Sequence, residues 1–415
     1  MGKYSIALRG VMSPSLRVLI NLRRQTIGFS IIYTRSSQAI LGKTHIIPWT
    51  VPVRALVSKA SRTERLEASH TDPGVKQALV KEGGVECDPQ YLPWSPPTKG
   101  ILSKLPPSWV PYAELSRIEK PGGLYGFYMA YLIGISYGAC LVTPSPSPGT
   151  LVGTAGILLV YNVFLRGAAC TINDILDRDY DRKVARCRSR PIARGAITPS
   201  QGYVWYALQT LGAGGAIACL PDPLTALAYA FPIQLLLSIY PLGKRYTDFP
   251  QLVLSAPIAG GVLMAAASIG MDPFNAPTVA LAGATGSLFL SHYIWTCIFD
   301  YVNACQDTKD DIKAGVGSMA VRYQNTDSFI SVLGTAQVIC LAVTGVLAGF
   351  SPVYFIGATG GNAVWLITMI KTVKRSRPDV CAWWFSWGSL LVSGTTALAC
   401  LVEYFYRPPD EDRGH

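Results

Sequence analysis

The chain has 415 residues, half of them hydrophobic and only 15% charged, with a mean hydropathy of +0.29 and a formal net charge of +11. A soluble protein carries about a quarter charged residues, so this composition points to a polytopic membrane protein and excludes extensive disorder. Ten cysteines without a CxxC pair exclude a disulfide scaffold and a cysteine-built zinc site, and read as ordinary buried thiols.

Residues 1–63 contain no Asp or Glu, while Lys3, Arg9, Arg17, Arg23, Arg24, Arg35, Lys43, Arg54, Lys59 and Arg62 recur among Ser and Thr. An acid-poor, Arg-rich and Ser-rich stretch has the composition of a mitochondrial transit peptide; an unstructured basic leader has the same composition. Residues 64–108 carry mixed charges and proline runs (Pro93, Pro96, Pro97, Pro106, Pro107) and read as a linker along the membrane surface.

From Gly122 onward the pattern is that of a helical membrane bundle. Residues 122–170 hold one charged residue, Arg166; residues 201–243 hold only Asp222, residues 249–299 only Asp272, and residues 328–370 and 381–402 none. A span needs about 20 apolar residues, and Pro-rich breakers divide these stretches. The expectation is all-α, with nine transmembrane helices near 122–142, 149–170, 202–219, 224–241, 251–270, 276–299, 328–349, 352–371 and 382–403. They form one domain over 109–405, followed by a tail at 406–415. Lys and Arg collect in the loops 171–200, 242–250, 300–327 and 372–380, and the intervening turns hold none. That alternation places the N-terminus and the basic loops on the cytosolic or matrix side. It also accounts for the basic surplus through a bilayer and an anionic substrate, with no nucleic-acid partner.

The acids cluster. Asn173, Asp174, Asp177 and Asp181 follow the second span. On one continuous helix, positions 173, 177 and 181 share a face with Asp174 beside them, and no base lies on that face except what reaches across. Like charges so close repel unless a cation binds them. Oxygen ligands of this kind suit Mg²⁺ held together with a substrate phosphate. A solvated acidic helix end is the plain alternative. A second cluster, Asp300, Asn303, Asp307, Asp310 and Asp311, follows the sixth span on the same side by that topology. Two such clusters can bracket a metal–diphosphate group. Arg178, Arg182, Lys183, Arg186, Arg190, Lys244, Arg245 and Lys313 surround them; Arg suits bidentate phosphate contact and Lys point-charge contact.

The run from Asn173 to Asp181 is NDxxDxxxD, followed by Arg182-Lys-Val-Ala-Arg186 and Arg190-Pro191. With Tyr240-Pro241-Leu-Gly-Lys244-Arg245 and Gln306-Asp307-x-x-Asp310-Asp311-x-Lys313-x-Gly315, the chain resembles the UbiA family of intramembrane aromatic prenyltransferases over residues 109–405. The resemblance implies nine helices around a central cavity, Mg²⁺ at Asn173, Asp174, Asp177, Asp181, Asp307, Asp310 and Asp311, and a prenyl diphosphate donor. Asn303 stands where that family's second motif, commonly written YxxxD, has tyrosine, and Cys187 stands where threonine is expected. The segment Trp109-Val-Pro-Tyr112 to Arg117-x-x-Lys120-Pro121 resembles fungal enzymes that prenylate phenolic acids in meroterpenoid, secondary-metabolite biosynthesis. The ubiquinone-pathway enzymes share its Arg-x-x-Lys-Pro core.

The reaction expected is transfer of a prenyl group, farnesyl by resemblance, to a ring carbon of a phenolic acid, with diphosphate released. Mg²⁺ would act as Lewis acid on the leaving group, aided by Arg178, Lys244 and Arg245. Arg182, Arg186, Arg190 and Lys313 would contact the substrate phosphates. Asp300, at the end of an otherwise uncharged helix, is the candidate to orient or deprotonate the phenol. Arg166 would hold the acceptor's carboxylate or else snorkel to the interface, and Asn303 would lie between donor and acceptor. Ubiquinone-type 4-hydroxybenzoate prenylation is the alternative. A terpene cyclase would need no acceptor. An ion-coupled transporter places its acids near the bilayer midplane, unlike these helix-end acids, and a scaffold has no use for two metal-type clusters. An endoplasmic-reticulum or Golgi membrane fits the first function and the mitochondrial inner membrane the second.

Overall fold

The computed structural model describes residues 16–23, 26–33, 94–182, 187–243, 246–315 and 317–407. Both strands are described by backbone alone, and the side chains of Lys309, Asp310 and Ala314 lie outside the description. Two units divide the chain, Met1–Cys87 and Asp88–His415. In the first, β1 (Leu16–Arg23) and β2 (Thr26–Tyr33) pair antiparallel, Leu16 opposite Tyr33 and Arg23 opposite Thr26. The sequence analysis assigned the leader no regular element. Its local wealth of Val, Ile and Phe is what favours strands there.

The described residues of the second unit are helical. In chain order they form α1 (Val110–Leu115), α2 (Pro121–Ala139), α3 (Pro148–Leu176), α4 (Arg178–Asp181), α5 (Pro199–Ile217), α6 (Pro223–Gly243) and α7 (Pro250–Ala267). Then come α8 (Val279–Ala304), α9 (Thr308–Ala314), α10 (Met319–Arg322), α11 (Thr326–Leu347), α12 (Pro352–Thr372) and α13 (Pro378–Tyr406). Local chemistry sets the boundaries. Pro121, Pro148, Pro199, Pro250 and Pro378 open their helices, where a missing N–H is harmless and φ is already helical. Thr198 and Gln201 cap α5 reciprocally, and Ser147, Thr278 and Asn325 cap α3, α8 and α11, satisfying amides that the first turn leaves open.

Among the described residues α3, α6, α7, α11, α12 and α13 are long and apolar enough to cross a membrane. The expected segments near 122–142, 202–219 and 276–299 are also helical, as α2, α5 and α8. They are less apolar because Gly, Ser, Tyr, Gln and His take places that Leu and Val hold elsewhere. Several of those polar groups are buried and paired between helices: Tyr137 with Thr285 at 3.0 Å, and Trp295 with Ser389 at 3.2 Å.

Helix α2 packs against α3, α7 and α13, while α8 packs against α7, α11 and α13. Small residues permit this approach, as membrane helix interfaces require. A Cβ on Gly122 would lie 2.6 Å from Ser386 Cα, and one on Gly134 would run into the Val262 carbonyl of α7. Two features position the chemistry. Helix α3 runs six residues past its expected end and α8 five past, so both acidic motifs begin on rigid helix rather than in loop.

Candidate functional site

Asp174 sits on the last turn of α3 and is 1% exposed. Its Oδ1 accepts from Arg117 Nη2 at 2.6 Å and from Arg190 Nη1 at 3.3 Å; the same Arg190 nitrogen donates to Asp181 Oδ2 at 2.8 Å. Among the described residues, buried Asp174 Oδ2 has no hydrogen-bond partner. Two guanidinium groups from distant segments thus balance two buried carboxylates. Burial pulls the Arg117 guanidinium down, but Asp174 together with smaller contributions from Cys170 and Cys187 outweighs it, and the group holds its proton more firmly than usual. Arg190 goes the same way for the same reason. Burial pushes the Asp181 carboxyl above the usual carboxylate range, with Arg190 pulling it back.

The single continuous helix expected across 173–181 is interrupted. Helix α3 ends at Leu176, and Asp177 leaves helical geometry at φ −93° and ψ 6° before α4 resumes. The spacing nonetheless persists: the Asp177 amide donates to the Asn173 carbonyl at 2.9 Å, and the Asp181 amide to the Asp177 carbonyl at 2.8 Å. Asp177 and Asp181 are both 6% exposed, and Asn173 is half-buried.

Arg117, which the sequence analysis left out of the site, is held in an unusual backbone state, φ +55°. Such a conformation costs a non-glycine residue about 1–3 kcal/mol and persists only where its surroundings enforce it. Arg166 enforces it. Its Nη1 donates to the Arg117 carbonyl at 2.9 Å and its Nη2 to the Lys120 carbonyl at 2.7 Å. Gly123 leaves room for this, since a Cβ there would lie 2.8 Å from Arg166 Nε. Arg166, expected to bind the acceptor's carboxylate or to snorkel, directs both terminal nitrogens to the turn that presents Arg117. Behind that turn, Trp205 donates to Ser116, Ser116 to Gln209 and Gln209 to Thr171, over 2.9–3.2 Å. The signal for Arg117 was present in the sequence: an arginine just before a long uncharged stretch, in the Arg-x-x-Lys-Pro segment.

The remaining basic residues divide. Arg178 pairs with Asp179 at 2.9 Å on the surface, and Arg182 donates to the Ala193 carbonyl at 3.0 Å. Arg194 meets Glu114, which also accepts from Trp94 at 2.8 Å, and lies 4.2 Å from the centre of the Trp94 ring. The end of the expected surface linker is thereby tied to the loop after the first motif. Lys183, Arg186, Lys244 and Arg245 lie outside the described residues.

In the second motif, Asp300 and Asn303 are half-buried on the last turns of α8, and Asn303 Oδ1 accepts from Gln306 Nε2 at 3.2 Å. Asp307 precedes α9, and the Asp311 amide donates to its carbonyl at 2.9 Å, as the i, i+4 spacing predicts. Gly315, at φ +68°, ends α9, and Lys313 is exposed. The side chain of Asp310 lies outside the description. Among the described residues no three His, Cys, Asp or Glu side chains are already gathered as a metal cage. At the first motif Arg117 and Arg190 pair with Asp174 and Asp181, two of the carboxylates expected to face a cation. The donor set still fits a hard ion: all oxygen, largely buried, and including Asp174 Oδ2, which has no hydrogen-bond partner among the described residues.

The UbiA prenyltransferase family profile matches residues 131–393. A prenyltransferase of Acremonium egyptiacum is 38% identical over 71% of this chain and 87% of its own. The mitochondrial 4-hydroxybenzoate polyprenyltransferase of Saccharomyces cerevisiae is 38% identical over 74% of this chain and 80% of its own. A DMOA farnesyltransferase of Aspergillus novofumigatus is 34% identical over 74% and 95%. The solved structure of a UbiA homologue from Archaeoglobus fulgidus bound to DMAPP and Mg²⁺ shares the fold, with a TM-score of 0.52 at 18% identity over 70% of this chain and 99% of that one.

Breaking a buried ion pair strands a charge, at about 3–5 kcal/mol. Arg190→Ala is therefore expected to lower the unfolding midpoint in detergent by several degrees. Arg178→Ala, which loses only a surface pair, should leave the midpoint unchanged within error. Equal midpoints for the two variants would contradict the balance described here.

Proposed function

The chain belongs to the UbiA prenyltransferase family and is a transferase of prenyl groups, and on that premise we propose that it transfers a farnesyl group from farnesyl diphosphate to a ring carbon of a phenolic acid, with Mg²⁺, in meroterpenoid biosynthesis. The observation that carries this reading is the set of buried carboxylates at the end of α3, matched by half-buried arginines and with one carboxylate oxygen unpartnered among the described residues. Such a set accepts a cation and an anionic group together. The farnesyltransferase relative and the meroterpenoid-like lead-in at 109–121 support the donor and the acceptor class.

Asn173, Asp174, Asp177 and Asp181 would hold Mg²⁺ from one side, and Asp307, Asp310 and Asp311 from the other. When bound, the ion supplies charge neutralisation to the leaving diphosphate. Arg117 and Arg190 offer planar guanidinium forks for phosphate oxygens. Arg178, Arg182, Arg186, Lys244, Arg245 and Lys313 add positive charge where the leaving group accumulates negative charge. Arg166 keeps Arg117 in place. Asp300 orients the phenol and takes its proton as the ring carbon is alkylated. The apolar bundle lodges the prenyl chain and keeps water from the allylic cation. In this reading α2, α3, α5, α6, α7, α8, α11, α12 and α13 all cross the bilayer, with the basic loops on one side.

The second reading, a ubiquinone-type 4-hydroxybenzoate polyprenyltransferase, is favoured by the yeast relative and by the acid-free leader. Asn303 separates the two. A tyrosine would add a ring there, whereas Asn leaves space for a larger acceptor.

Three outcomes are expected. Asp177→Ala and Asp307→Ala lower farnesyl transfer at least roughly 100-fold while the protein still elutes as a folded species in detergent, and EDTA does the same until Mg²⁺ is restored. Normal turnover in excess chelator sinks the metal reading, and conversion of farnesyl diphosphate without any acceptor replaces the aromatic transfer by a cyclase. In a competition between 4-hydroxybenzoate and a more substituted phenolic acid, the bulkier acid wins, and Asn303→Tyr reverses the preference; exclusive use of 4-hydroxybenzoate with a long polyprenyl donor establishes the second reading. Cysteines placed at Ser189 and Ser376 react from one membrane face and one at Ser145 from the other; reaction of all three from a single face breaks the nine-span topology.

A further inference from the structure

The turn between α12 and α13 holds Lys374, Arg375 and Arg377, which the sequence analysis read only as charge setting orientation. Two of them pair at the surface, Lys374 with Asp327 and Arg377 with Asp379, both at 2.9 Å. Arg375 behaves differently. Its Nη2 donates to the Ala320 carbonyl at 2.6 Å, to the Tyr323 carbonyl at 2.7 Å and to the Tyr301 hydroxyl at 3.2 Å. Its Nε donates to Thr326 Oγ1 at 3.1 Å, and its Nη1 to Gln324 Oε1 at 3.2 Å. Every nitrogen of the fork is used.

Those partners come from the end of α8, the end of α10 and the start of α11. Tyr301 itself donates to the Tyr323 carbonyl at 2.9 Å, and its ring stacks on Phe329 at 3.9 Å. Tyr301, one residue after Asp300, and Tyr323 therefore bracket segment 302–322, and both limbs of this neck are fastened to a single guanidinium. Between the two points lie Asn303, Asp307, Asp310, Asp311 and Lys313. The return limb is pinned once more, where the Met319 amide donates to buried Gln251 Oε1 at 3.1 Å.

We propose that Arg375 is a positioning residue for prenyl transfer: it closes the neck of segment 302–322 and so sets where Asp307 and Asp311 are held. Only arginine suits the task. Its planar fork spans several acceptors at once, and a lysine ammonium is one compact charge. Of the two carbonyls it takes, that of Ala320 lies within α10 and that of Tyr323 caps its C-terminal end, where a cation is also favoured by the helix dipole. The proposal rests on the reading that the second acidic motif binds the metal–diphosphate, and its test has a readout separate from that reading.

The experiment uses full-length protein in nanodiscs. Arg375→Ala, Arg375→Lys, Tyr301→Phe and Lys374→Ala are compared with the parent by backbone hydrogen exchange over 303–323, by KM for farnesyl diphosphate and by the Mg²⁺ concentration for half-maximal turnover. Arg375→Ala is expected to speed exchange in 303–323 but not in 187–197, and to raise both concentrations roughly tenfold with a smaller change in kcat. Arg375→Lys should restore little. Tyr301→Phe, which keeps the stacked ring, should shift in the same direction by less, and it decides the matter if Arg375→Ala fails to fold. Lys374→Ala should match the parent. Unchanged exchange and KM in Arg375→Ala or Tyr301→Phe, or an equal effect of Lys374→Ala, overturns the proposal. Full activity of Asp307→Ala would instead remove the metal reading of the motif, leaving the exchange result to test the neck by itself.

Discussion

A carboxylate buried at the end of a membrane helix is the constraint on which this structure turns. Asp174 lies in a region of low dielectric, where an uncompensated charge is prohibitive. Arg117 and Arg190 compensate it, and each must itself be delivered from elsewhere: Arg117 from the turn before α2, and Arg190 from the loop after α4. Arg166 then fixes the turn, Gly123 leaves space for Arg166, and the Trp205–Ser116–Gln209–Thr171 chain backs the turn against α3 and α5. A local electrostatic demand thus organises five segments of the chain.

Arginine and aspartate neutralise each other, so that neither set carries unpaired charge into the bundle. A cation for the carboxylates and an anion for the guanidinium groups, arriving together as a metal–diphosphate, would satisfy both sets without net change in charge pairing. The second acidic motif is organised by another principle. Its backbone is held in place by a neck on Arg375 and by Gln251, while Asp300, Asp307 and Asp311 stay half-buried. One motif is rigid because its charges are paired, the other because its backbone is fastened.

The bundle that carries both motifs is stabilised less by apolar contrast than by close approach. Lipid offers helices no hydrophobic gain for associating, so contact must come from small residues and from paired polar groups. Gly122 and Gly134 supply the first; Tyr137 with Thr285 and Trp295 with Ser389 supply the second. The same choices leave α2, α5 and α8 outside the set of helices long and apolar enough to cross a membrane by composition.

What the sequence determined by itself is whatever depends on neighbours along the chain. Proline, serine and threonine at helix starts, charge-free stretches of span length, and acids at i, i+4 spacing act within a turn or two, so the helices and both acidic motifs were legible. The interruption at Asp177 was not, because Asn173, Asp177 and Asp181 keep helical spacing on either side of it. Nor was the assignment of the basic residues. Arg166, Arg190 and Arg375 look alike in sequence, yet one holds a turn, one bridges two carboxylates and one fastens a neck. Arg117 reaches Asp174 across 57 residues, and Arg375 reaches Tyr301 across 74. A guanidinium has five donors on a long stem, and which acceptors they meet is decided only when tertiary packing brings distant carbonyls and carboxylates within its reach.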